Sequence, residues 1–202
     1  MSSWMCENGL VGGEAGTVTC KTTPKASFPW PITLNIYNVE PATNEPGPLI
    51  ATATQTVNVP YRPSASKKCP TSGPQPEVEA VGGWRHNGQC LNGMAFEVNY
   101  SGTELTPVSP ATSVKLPEEV IIAVTYKPEG KAEPLNVGLT EASFATPTVG
   151  GSPLLAAGEA YMTSPVCEWY GTAFEANCGK FGLSEGWATY QPVLKVTGRH
   201  DR

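Results

Sequence analysis

Ile32-Thr-Leu-Asn-Ile-Tyr-Asn-Val39, then Glu40-Pro-Ala-Thr-Asn-Glu-Pro-Gly-Pro48, then Leu49-Ile-Ala-Thr-Ala-Thr-Gln-Thr-Val-Asn-Val59, is the stretch that decides the fold. In the first segment Ile32, Leu34 and Ile36 fall on one side, Thr33 and Asn35 on the other. That is the period of two expected of a half-buried strand. The middle segment holds three prolines and a glycine, which cannot feed a ladder, so it reads as a loop. The third is a long Thr/Val strand closed by Pro60. Strand, loop and strand pair most simply as a wide hairpin, with a Greek-key crossover as the alternative.

On the N-terminal side, residues 1–30 carry little periodic signal, and only Gly16-Thr-Val-Thr-Cys20 suggests a short strand. Residues 60–92 read as one long loop region, and loops of that length need a function or a staple. Gly93–Tyr100 reads as a strand with Met94, Phe96, Val98 and Tyr100 on one side. Glu119–Tyr126 is apolar on both faces from Val120 to Val124, which predicts a central, doubly covered strand. Leu135–Leu139 is a further short strand. Gly158–Thr163 is ambiguous, because Leu154–Ala157 also suits a helical turn. Tyr190–Thr197 closes the fold, with Pro192 demoting it to an edge or a bulge. Seven to nine strands without a capped helix predict an all-β, antiparallel β-sandwich, immunoglobulin-like or jelly-roll, with long disulfide-stapled loops. One domain over 1–202 is expected, with 1–30 irregular and 198–202 a frayed tail.

The six cysteines fall as near neighbours: Cys6 and Cys20, Cys69 and Cys90, Cys167 and Cys178. Sequence alone allows fifteen pairings, of which the local set is the simplest. No Cys-x-x-Cys occurs, and His86 and His200 are the only histidines, so no metal site is expected. Disulfides imply an oxidising compartment. Met1-Ser-Ser-Trp-Met-Cys6 has neither a basic start nor an apolar run. Secretion therefore implies a signal already removed, or a chain that is part of a longer product.

Composition narrows the partners. Charged residues make up 15% of the chain and the net charge is −5, with Lys67-Lys68 the one adjacent basic pair. Nucleic acid and anionic membranes attract clustered Lys/Arg, so neither is expected as a partner. No apolar run is long enough to span a bilayer, so no membrane insertion is expected.

Signals for catalysis are weak. His86 stands four residues before Cys90, but a disulfide-bonded cysteine is no nucleophile. Glu118 and Glu119 are adjacent and would point to opposite faces of a strand. Glu77, Glu79, Glu97, Glu159, Glu168, Glu175 and Glu185 are scattered, and a glycosidase pair must converge in space. No catalytic residue and no cofactor is assigned. Loop aromatics are the better clue: Trp84, Trp169, Tyr170 and Trp187, with His86, are candidate platforms for a glycan, or else plugs over disulfides. Asn99-Tyr-Ser101 matches the N-glycosylation pattern, here within a predicted strand.

Several strings carry a resemblance: Val59-Pro-Tyr-Arg-Pro-Ser64, Gly88-Gln-Cys90-Leu-Asn-Gly-Met94, Leu116–Tyr126, Asn136-Val-Gly-Leu139 and Tyr190–Val196. Together, over about residues 30–197, they resemble uncharacterised secreted bacterial β-sandwich proteins. That resemblance implies secretion and a β-sandwich, and it carries over no site residues. The leading expectation is a non-catalytic extracellular domain, structural or adhesive, in a surface layer or fibre, with an envelope component or its own copies as partner. A carbohydrate-binding module is the alternative, and a small secreted glycan hydrolase or lyase the third.

Overall fold

In the computed structural model, every regular element of the described residues is a strand except one 3-10 turn at Thr17–Thr19. The structure describes residues 1–10, 17–43, 45–72, 80–100, 105–108, 110, 114–126, 135–136, 139–141, 159–162, 182–185 and 190–192. The strands are β1 (Ser2–Ser3), β2 (Ser27–Val39), β3 (Pro46–Pro60), β4 (Trp84–His86), β5 (Gln89–Leu91), β6 (Met94–Ala95) and β7 (Thr106–Pro107). They continue with β8 (Val120–Tyr126), β9 (Leu135–Asn136), β10 (Leu139–Glu141), β11 (Glu159–Met162), β12 (Gly182–Glu185) and β13 (Tyr190–Pro192). Every pairing is antiparallel. The protein is thus all-β and antiparallel, with disulfide-stapled loops.

The chain divides into two compact units, Met1–Val137 with Gly198–Arg202, and Gly138–Thr197. The first is built on a four-stranded sheet in the order β7-β3-β2-β8. Its spine is the predicted hairpin, paired without interruption from Ser27↔Pro60 to Ile36↔Ala51. Beyond Ile36 the register shifts twice, and these irregularities let the ladder reach Val39↔Pro46. The loop is therefore shorter than its prolines suggest. It closes where Glu40 N–H donates to the Glu45 carbonyl at 2.9 Å.

At its other end β2 begins five residues earlier than the alternation at Ile32 indicates, and it runs through Pro29 and Pro31. The reason lies in the phase of the ladder. Tyr61 N–H donates to the Ala26 carbonyl, so the even-numbered residues of β2 exchange backbone bonds with β3. Pro29 and Pro31 occupy the alternate positions, whose amides face away from β3. On that side β8 reaches only Tyr126, opposite Ile32. The prolines thus lack a donor where no described strand asks for one.

Phe28, Trp30, Ile32, Val59 and Leu135 form the core cluster of this unit. Full burial of such side chains contributes roughly 1.5–3 kcal/mol each. Phe96, Val98 and Tyr100 pack against it while Glu97 and Asn99 stay exposed, so the predicted alternation of 94–100 holds. Only Met94–Ala95 pairs as strand, on β1. The rest is an extended strap fastened by side chains: Tyr100 Oη donates to the Ile32 carbonyl at 2.8 Å, and Gln55 Nε2 donates to the Asn99 carbonyl at 2.9 Å.

Three expectations are corrected here. β8 is not central: among the described residues it pairs with β2 alone, and Val120–Val124 are only half-buried. Its double apolarity combines a core face, where Ile122 and Val124 pair with Ile36 and Leu34, with an outer face holding Ile121 and Ala123. Thr17–Thr19 forms a 3-10 turn rather than a strand, because Cys20 N–H folds back onto the Thr17 carbonyl at 2.9 Å. That turn brings Cys20 round to Cys6. Leu135–Leu139 also splits, with β9 pairing β1 and β10 pairing β13.

In the second unit β10 pairs β13 and β11 pairs β12. Residues 159–162, ambiguous in sequence, are strand. Leu154–Ala157 and 193–202 lie outside the described residues.

Candidate functional site

Four of the six cysteines, with Trp84 and His86, belong to the segments that flank the four-stranded sheet in the first unit. Cys6–Cys20 and Cys69–Cys90 are both disulfides with Cα–Cα distances of 5.7 Å, and all four cysteines are buried. Two of the three nearest-neighbour bridges are thus formed. Cys167 and Cys178 lie outside the described residues. Cys90 carries no thiol, which removes a Cys90–His86 nucleophile pair.

Between the two bridges sits a residue that the chemistry of the sequence did not single out. Arg62 is fully buried. Its Nε–H donates to Cys20 Sγ at 3.2 Å, one terminal nitrogen donates to the Asn92 carbonyl at 3.1 Å, and the other donates to the Gly82 carbonyl. Its own backbone N–H donates to the Met5 carbonyl. One guanidinium thereby ties the first staple to the loop closed by the second. Burial pushes its pKa down to about 10, and it stays charged at neutral pH. Carbonyl dipoles stand in for water around the cation. A signal was present: Arg62 is the only charged residue between Pro46 and Ser66.

Gly82 is the close-approach point of these segments. Its φ is +65°, and a Cβ there would lie 2.5 Å from Val18 N and 2.6 Å from the Thr17 carbonyl carbon. Only glycine allows both the conformation and the contact.

The region 60–92 is not wholly loop. β4 and β5 form a hairpin, Trp84↔Leu91 to His86↔Gln89, turned by Asn87 (φ 47°) and Gly88 (φ 88°). Two central residues with positive φ suit the type I′ turn that Asn-Gly favours. Trp84 and His86 share one face, with ring centroids 5.4 Å apart and planes inclined by 48°. Trp84 Nε1–H donates to the Gly93 carbonyl at 2.9 Å, which fixes the indole. Trp4 approaches the same glycine, with its Nε1 2.6 Å from where a Gly93 Cβ would stand. Two half-buried indoles therefore meet at one glycine beside an exposed imidazole. Trp4 was not among the sequence candidates. Trp169, Tyr170 and Trp187 lie outside the described residues.

The other candidates stand apart. Asn99 is exposed on the strap, outside any regular strand, and Ser101 lies outside the described residues. Glu118 and Glu119 are exposed beside an open cleft of about 480 Å³ that Asn38, Val39 and Pro41 also line. Glu159 and Glu185 are opposite each other in the β11–β12 register. Glu77, Glu79, Glu168, Glu175 and His200 lie outside the described residues. Among the described residues no three His, Cys, Asp or Glu gather as a metal site, and no helix is long and apolar enough to cross a membrane.

The second surface with a character of its own is the outward face of the four-stranded sheet. β2, β3, β7 and β8 contain no Lys, Arg, Asp, Glu or His. On the face opposite the core, Thr33 and Thr54 hydroxyls meet at 2.7 Å. Thr52 Oγ1 donates to Asn35 Oδ1 at 2.7 Å, and Asn35 Nδ2 donates to Thr125 Oγ1 at 3.4 Å. Thr54, Thr56, Asn58, Thr106 and Thr125 are exposed.

Neither a scan against protein-family models nor searches of curated proteins and of solved structures finds a match.

Proposed function

We propose that the protein is a secreted, non-catalytic extracellular domain of structural or adhesive kind, a component of a surface layer or fibre. The sandwich of immunoglobulin-like or jelly-roll type belongs with this reading. One observation carries it: two buried disulfides, with a buried arginine that ties the first to the loop closed by the second, pin the long loops of a unit whose main sheet holds no charge. Covalent ties of this kind persist where thiols are oxidised. The test is fractionation of the native source followed by thiol labelling. Recovery from the extracellular or envelope fraction, with the cysteines closed to alkylation until reduced, is expected. Recovery from a reducing compartment with all six cysteines labelled overturns the reading.

A second reading, a carbohydrate-binding module, is favoured by the hairpin alone. Trp84 is fixed by its bond to Gly93, with His86 beside it and Trp4 across the glycine. Tryptophan emission should then shift with a glycan from a panel of neutral and acidic polysaccharides, and Trp84→Ala should remove the shift. Flat titrations across the panel sink this reading.

A further inference from the structure

We propose that the outward face of the β7-β3-β2-β8 sheet is the surface through which two copies of this chain associate face to face. The inference rests on the structural reading above and names its partner.

Among the described residues of the four strands the face is continuous and neutral. Register places Ser27, Pro29, Pro31, Thr33 and Asn35 of β2 beside Asn58, Thr56, Thr54 and Thr52 of β3, with Thr125 and Ala123 of β8 and Thr106 of β7 at its sides. Its far end is apolar, where Tyr37 pairs with Ile121. Charged side chains spread over a surface normally help to keep monomers apart. Here the charged 15% of the chain is absent from all four strands.

Covering the face is also inexpensive in free energy. Burying a polar group is unfavourable when its hydrogen bonds are lost. The central side chains already bond one another, through Thr33–Thr54 and Thr52–Asn35–Thr125. They therefore keep partners when water leaves. Hydroxyls both donate and accept, so the patch is complementary to itself under a two-fold axis, and no like charges meet across it. A neutral polysaccharide is the other ligand with matching chemistry. Yet among the described residues the face offers one aromatic ring, Tyr37, where stacking on sugars calls for several.

Size sets the strength. The unbroken β2–β3 ladder is roughly 30 Å long and its two strands roughly 10 Å wide, about 300 Å² before β7 and β8 are added. A standard interface covers about 800 Å² per partner. A single pair is therefore weak and reversible, and avidity in an array makes it persistent.

Sedimentation equilibrium of the full, oxidised chain tests this over about 10 μM to 1 mM. Reversible self-association is expected that does not weaken between about 0.05 and 0.5 M salt, because no charge pair across the face is there to be screened, while the repulsion between the −5 net charges of the two copies is. Thr54→Glu and Thr54→Lys should each raise the dissociation constant at least about tenfold, and an equimolar mixture of the two should restore association. Thr54→Ser, which keeps the hydroxyl, should behave as the parent and guards against a folding artefact. A parent chain that stays monomeric, a Thr54→Glu chain that associates equally well, or association abolished by salt each overturns the proposal. So does a monomeric parent whose retention on insoluble neutral polysaccharide is lost in Thr54→Glu, which gives the face to a glycan. Failure of the extracellular reading is distinguishable, because it is read from fractionation and leaves the purified chain's association untouched.

Discussion

The β2–β3 ladder and the stapled end of the same unit solve one problem in opposite ways. In the ladder, backbone groups pair with backbone groups, and the strands need no charge at all. At the stapled end regular pairing is short, so side chains and covalent bonds replace it. Arg62 supplies donors to carbonyls of Gly82 and Asn92, and Asn8 bonds Thr19 and Lys21 through both ends of its amide. Buried backbone groups must be satisfied in either region. The difference is that the ladder distributes the task over many equal bonds, while the end concentrates it in a few residues. Single substitutions should therefore act unevenly.

The largest effect is expected at Arg62. Arg62→Ala removes the donors that the guanidinium gives the carbonyls of Gly82 and Asn92 and opens a cavity beside the first staple. The expected loss is about 4 kcal/mol, the range for breaking a buried charged hydrogen-bond set. Arg62→Lys should recover only part, since one ammonium on a flexible stem cannot span the three acceptors in a fixed fork. Urea denaturation measures both. Ile32→Ala, in the middle of the ladder's core face, is expected to cost about 3 kcal/mol through its cavity. An Arg62→Ala loss below that of a surface substitution would erase the contrast between the regions.

These two residues also separate what the sequence made legible from what it did not. Ile32 announces itself, because its face alternates with Thr33 and Asn35 over enough residues to define a period. Arg62 belongs to no period. Its importance arises only when Cys20, Gly82 and Asn92 converge, and local pattern does not encode that convergence. The early start of β2 was hidden for a related reason: whether a proline breaks a strand depends on which side its nitrogen faces, and a neighbouring strand decides that. In β8 the apolar pattern is plain but its covering is not, because apolarity on two faces does not say what lies on the second. The Asn87-Gly88 turn carries a hairpin signal that local pattern scarcely supports, since the strands on either side of it are only three residues long.

The next effect is the loss of a staple. Removing Cys6–Cys20 or Cys69–Cys90 as a paired substitution by alanine should cost about 3 kcal/mol each, since they close loops of 14 and 21 residues of separation. The comparison predicts where the loss shows first. In hydrogen exchange followed by mass spectrometry, peptides covering 17–23 and 80–93 should lose protection on reduction before peptides of β2 and β3 do. Simultaneous loss across all of these peptides would mean that the end and the ladder unfold as one unit.

The smallest effect is a pH dependence confined to the stapled end. Glu7 is exposed, and its carboxylate accepts the Thr23 N–H at 2.6 Å. Hydrogen bonds from the Thr23 backbone, and then from its side chain, hold the Glu7 pKa below its ordinary value in the folded protein. A depressed acid pKa means that the folded state favours the ionised form. The stabilisation is therefore fully present above the ordinary carboxylate value and is lost as pH falls through the lower folded value. Thr23 amide exchange should quicken over that acid window relative to Glu7→Gln measured at each pH, which lacks the titration. The amides of Phe28 and Trp30, bonded within the ladder, should show no such difference. A Thr23 profile identical in the two proteins would place this tie outside the energetics of the end, and would leave the staples and Arg62 as what holds it.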